Sequence, residues 1–131
     1  MVELIVADEG AIGLAAELPE AELHVASDGI AGLEFGDPVA AVNRTAAALK
    51  DGNPANGEAD VVVAEYHEGA TEGGSATLAS QLALGGDFAR IVTDTSANVD
   101  AIFTGHTHQL YAWDGPVPGG TGTRPVVQTA F

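Results

Sequence analysis

The sequence predicts an α/β fold with a partly parallel sheet. From residue 38 onward, helical and strand patterns alternate along the chain. Val61, Val62 and Val63 form an unbroken β-branched run, the pattern of a strand buried on both faces of a parallel sheet. Asp37-Pro38 reads as a helix start, with Asp as N-cap and Pro at the first helical position.

The elements follow in order. Val2 to Ala7 predicts a short strand, Ile12 to Ala16 a second apolar run, and Leu23 to Ala26 a third. After Pro38, Val39, Val42, Ala46 and Leu49 recur at helical spacing, and Lys50 suits the helix C-terminus. Asp51-Gly52-Asn53-Pro54 ends that helix. A strand from Asp60 to Tyr66 follows, then a loop from Glu68-Gly69 to Gly73-Gly74. Ser75 is the expected cap of a helix through Leu84, closed by Gly85-Gly86, and Asp87 the expected cap of a helix through Thr93. Asp100 to Thr104, Leu110 to Trp113 and Pro125 to Gln128 predict three more strands, with a Gly- and Pro-rich loop between the last two.

Composition narrows the function. The 131 residues fit one domain, and no internal repeat or interdomain linker is visible. Four Lys and Arg against 19 Asp and Glu give a formal net charge of −15. A chain this acidic repels phosphate backbones, which argues against binding a nucleic-acid polymer. The absence of cysteine removes disulfides, thiolate metal sites and cysteine nucleophiles. No apolar run approaches the length of about 20 residues that spans a bilayer, and the N-terminus has no signal-like core.

The chemistry rests on histidines. Of His24, His67, His106 and His108, the last three follow predicted strands. If those strands are parallel neighbours, the three imidazoles gather at the carboxyl edge of the sheet, where open α/β sheets bind ligands. Neutral imidazole is a strong ligand for Zn²⁺, Mn²⁺ and similar ions. Gly105 permits a sharp turn, and Thr107 separates His106 from His108 so that each can serve a different ion. His24 has no such partner. Around His67, Glu65, Glu68 and Glu72 read first as a solvated acidic loop, and secondly as supports for a ligand. Gly73-Gly74-Ser75 reads as an ordinary helix start rather than a phosphate cradle, because no basic residue adjoins it. Tyr111 and Trp113 alternate on a strand and read as a half-buried face rather than a base-stacking platform.

The block Asp100-Ala101-Ile102-Phe103-Thr104-Gly105-His106-Thr107-His108 resembles the terminal Gly-His-x-His motif of calcineurin-like metallophosphoesterases. Asp60 to Gly69 resembles the family's preceding strand with its isolated histidine, and Gly32 to Phe35 with Asp37-Pro38 is similar to the segment before that strand in 5′-nucleotidases. The resemblance spans roughly residues 30 to 113. It implies half of a four-layer α/β/β/α sandwich and a dinuclear centre of Mn, Zn or similar divalent ions, with His67 and His106 on one ion and His108 on the other. It implies hydrolysis of phosphate monoesters, such as 5′-nucleotides, by an exported enzyme.

The resemblance is incomplete. The family's Asp-x-His, Gly-Asp and Gly-Asn-His motifs are missing: Asp8-Glu9-Gly10 lacks a histidine, and neither Asn43 nor Asn98 is followed by one. Gly36-Asp37 comes too late and reads as the helix cap. The expectation is therefore a single partial domain over residues 1–131, with Met1 an internal or truncated start. Two further outcomes stay open: a catalytically silent metal-binding remnant, and a fragment whose exposed sheet edges prevent it from folding alone.

Overall fold

The computed structural model describes residues 2–8, 11–14 and 36–130. The apolar run at Leu23 to Ala26, His24 and the Gly32 to Phe35 segment lie outside those residues.

Two strands open the described chain: β1 (Val2–Asp8) and β2 (Ala11–Leu14). Helix α1 (Pro38–Leu49) follows, then β3 (Val61–Tyr66) and the short helices α2 (Leu78–Ala83) and α3 (Gly86–Asp94). The chain ends with β4 (Ala101–Thr104), β5 (Leu110–Pro116) and β6 (Thr123–Thr129). The strands form one six-stranded sheet in the order β2-β1-β3-β4-β6-β5. Strands β1, β3, β4 and β6 run parallel, while β2 and β5 pair antiparallel at the two ends of the sheet. The fold is mixed α/β.

Local chemistry accounts for the helix starts. The Asp37 carboxylate accepts from the N–H of Ala40 at 3.0 Å, and Pro38 fills the first helical position. Helix α2 is capped by Thr77 rather than Ser75. Thr77 and Ser80 exchange side-chain and backbone hydrogen bonds in a reciprocal capping box. Helix α3 starts one residue before the expected Asp87 cap. Gly85 is its N-cap at φ 72°, a left-handed conformation that glycine adopts at little cost. Asp87 therefore occupies the first turn, where its charge suits the helix dipole.

The core lies between the helices and one face of the sheet. Val39, Val42 and Ala46 of α1, with Phe88, Ile91 and Val92 of α3, pack on Val62, Ala64, Tyr66, Ile102 and Val126. On the alternate sheet face, Val61 is 39% exposed and Phe103 42%. The valine run of β3 is thus buried on one face, not on both as its sequence predicts, because a strand with period two presents Val61 and Val63 away from the helices.

A buried arginine closes the helical layer. Arg124 of β6 is 2% exposed, and its guanidinium donates to the carbonyls of Val92, Thr95, Ser96 and Val99. Those acceptors lie at the end of α3 and in the turn after it, where helical carbonyls run out of intrahelical donors. Two ion pairs brace the helices from outside. Lys50 meets Asp100 at 2.7 Å, and Arg90 of α3 pairs with Asp37 at the start of α1. Asp100 precedes β4 instead of opening it, and its carboxylate also accepts from the N–H of Val62 at 2.8 Å.

Candidate metal centre

Strands β3 and β4 are parallel neighbours, with Tyr66 opposite Thr104. Their carboxyl ends therefore lie side by side, and each releases a histidine one or two residues later. His67 follows Tyr66 directly, and His106 follows Thr104-Gly105. The imidazoles of His67 and His106 meet edge to face, with ring centroids 5.2 Å apart. His108 lies on the same cleft, a space of about 480 Å³ lined also by Glu65, Phe103, Val127 and Thr129. All three histidines are exposed.

The loop after β4 has an unusual backbone. His106 and His108 sit at φ 65° and 54°, in the left-handed region that non-glycine residues enter rarely. Conformations of that kind cost roughly 1–2 kcal/mol per residue and concentrate at functional sites. Thr107 lies between them, and its N–H donates to the carbonyl of Gly105 at 2.7 Å.

The loop after β3 is fitted against this one. The N–H of Gly105 donates to the carbonyl of Glu68 at 3.3 Å. A β-carbon on Gly69 would lie 2.6 Å from the Gly105 carbonyl oxygen and 2.8 Å from Thr107 Oγ1, so only glycine admits this approach. Beneath both loops runs a hydroxyl network. Tyr111 accepts from the N–H of Ala70 at 3.1 Å and lies 2.6 Å from Thr104 Oγ1, and Thr104 donates to the carbonyl of Val127. Burial pushes the Tyr111 phenol up from its ordinary pKa, with the Thr104 and Ala70 hydrogen bonds opposing.

The other candidates sort clearly. Of the three acids near His67, Glu65 lines the cleft. Glu68 instead accepts from the N–H of Gly69, and Glu72 is exposed. The N–H groups of Gly73 and Gly74 already donate to Gln109 Oε1 and the Leu110 carbonyl, so neither is free to cradle a phosphate. Tyr111 and Trp113 stack on each other at 4.1 Å, with Phe88 edge-on to both, and form part of the core.

Strand β1 is parallel to β3 with Ala7 opposite Tyr66, so β1 ends at Asp8 level with His67. Its position at the end of an apolar strand was legible. Its register against β3 was not.

The donor chemistry fits a divalent ion such as Zn²⁺ or Mn²⁺ in type, with two imidazoles in contact and a third on the same cleft. In number the fit is partial: among the described residues, no group of three or more His, Asp or Glu is placed to hold one ion. Also among the described residues, no helix is long and apolar enough to cross a membrane. Comparison with protein-family models, with curated proteins and with solved structures finds no match for the chain.

Proposed function

We propose that this chain is the histidine-bearing part of a metal-dependent phosphoesterase, half of a four-layer sandwich of the calcineurin-like kind, acting on phosphate monoesters such as 5′-nucleotides. The observation that carries the reading is the contact between His67 and His106 at one sheet edge, with His108 on the same cleft. These are the three residues singled out by the two motif blocks. His67 and His106 would hold one ion and His108 a second. Divalent ions there would supply Lewis acidity, lowering the pKa of water and offsetting charge on phosphoryl oxygens.

The chain's own residues set the order of binding. None of its four cationic side chains lines the cleft. Lys50 and Arg90 pair with Asp100 and Asp37, and Arg124 is buried among carbonyls. A phosphate entering the cleft therefore meets no Lys or Arg side chain, in a molecule of net charge −15. Phosphate should bind only after the ions.

A second reading is a catalytically silent metal-binding remnant. The missing Asp-x-His, Gly-Asp and Gly-Asn-His motifs favour it, as does the absence of a three-donor group among the described residues.

Calorimetry with Mn²⁺ and Zn²⁺, on the chain and on a His67→Ala, His106→Ala, His108→Ala variant, separates the readings when combined with an aryl phosphatase assay. Two bound ions, lost in the variant, with metal-dependent turnover support the phosphoesterase. Ion binding without turnover supports the remnant. No ion binding by the unaltered chain overturns both.

A further inference from the structure

The middle residue of the His106-Thr107-His108 triplet reads in sequence as a spacer. Its surroundings give it a different part. His106 and His108 line the cleft, whereas Thr107 does not. Thr107 is half-buried, and its Oγ1 donates to Gln128 Oε1 at 3.1 Å. Gln128 belongs to β6 and is 2% exposed. The same carboxamide oxygen accepts from the hydroxyl of Tyr111 at 3.0 Å, and Tyr111 in turn accepts from the N–H of Ala70. A single buried oxygen thus joins the loop that carries His106 and His108 to the loop that carries His67. The carbonyl of Thr107 is held as well, by the Gln109 carboxamide at 3.4 Å.

This arrangement answers a physical question. Two non-glycine residues in the left-handed region flank Thr107, and such conformations persist only where the surroundings over-determine them. Released from Gln128, the loop would relax toward ordinary backbone angles and both imidazoles would turn with it.

We propose that Thr107 is a positioning residue, whose hydroxyl anchored on Gln128 holds the flanking histidines in their left-handed conformations and so sets the His67–His106 contact. The consequence for metal affinity rests on the reading of the cleft as a metal centre. The consequence for the histidine contact does not.

The test compares Thr107→Val, which keeps the volume and loses the donor, with Thr107→Ser, which keeps the donor. Two measurements are made: the nuclear Overhauser effect between the His67 and His106 ring protons in metal-free protein, and Zn²⁺ affinity by calorimetry. In the unaltered chain and in Thr107→Ser the ring contact is expected to be present. In Thr107→Val it is expected to vanish while the amide spectrum of the core remains, and Zn²⁺ affinity should fall about 10-fold or more, as is usual when a residue orienting a metal ligand is removed. Should Thr107→Val fail to fold, Thr107→Ala replaces it, since it removes the donor without adding bulk against Gly69. A Thr107→Val protein with the ring contact and affinity intact overturns the proposal, as does an unaltered chain without the contact. If the unaltered chain binds no Zn²⁺, the metal reading fails and the ring contact alone decides the part played by Thr107.

Discussion

At the scale of single residues, buried polar groups are the most informative part of this molecule. Tyr66 is 2% exposed, and its hydroxyl lies 2.8 Å from Thr95 Oγ1, itself fully buried. Burial pushes the phenol from 10.0 up to about 12, opposed by the Thr95 hydrogen bond and by Arg124. A folded-state pKa above the unfolded one means that folding favours the protonated phenol. That contribution is whole below pH 10.0 and is lost as the pH rises toward about 12. By linkage it is on the order of 3 kcal/mol. Tyr66→Phe should therefore be less stable at neutral pH, by about 1–3 kcal/mol for the partner lost to Thr95. It should also lose less stability than the unaltered chain across the alkaline window. Urea denaturation at neutral and alkaline pH measures both, and equal alkaline slopes would show that Tyr66 is not the group responsible.

At the scale of elements, the sheet edge is set by contacts between loops rather than by strand propensity. Gly69 is the tightest of these contacts. Its absent side chain leaves room for the Gly105 carbonyl, Thr107 Oγ1 and, closer still, Gln128 Oε1. Gly69→Ala should destabilise the chain by about 1–3 kcal/mol through overpacking. Because the clash falls between the His67 and His106 loops, it should also abolish their ring contact in the nuclear Overhauser spectrum. A variant as stable as the unaltered chain, with the contact present, would mean that the two loops can part without consequence. The helix ends illustrate the limits of local signals. Asp37-Pro38 declared the start of α1 because both cap and first residue act locally. Gly85-Gly86 reads in sequence as a stop and also serves as a start. Glycine at positive φ suits either role, and only packing of the flanking helices distinguishes them.

At the scale of the whole molecule, charge is the dominant feature. Nineteen acidic side chains face four basic ones, and three of those four are engaged with named partners. Self-repulsion of this kind opposes the compact state and is screened by salt. The thermal midpoint should rise as ionic strength increases from about 0.01 M to about 0.15 M, over which the screening length falls from about 30 Å to about 8 Å. A midpoint that stays flat or falls would mean that the acidic groups are spaced too widely to repel.

The sequence by itself determined the element order from residue 38 and the mixed α/β class, and it put His67, His106 and His108 just after apolar runs. Each is written in local pattern: periodicity, caps, and polar residues at the ends of apolar runs. The tertiary structure decided what depends on register and approach. Pairing β3 with β4 in parallel made neighbours of His67 and His106, which lie far apart along the chain. Pairing β1 with β3 brought Asp8 level with His67. The helices' choice of one sheet face left Val61 and Phe103 open. The anchoring of Thr107 on Gln128 joins residues from separate strands and loops, and no local pattern encodes that meeting. Side-chain periodicity is a property of the segment, whereas register and loop contact are properties of the packed whole.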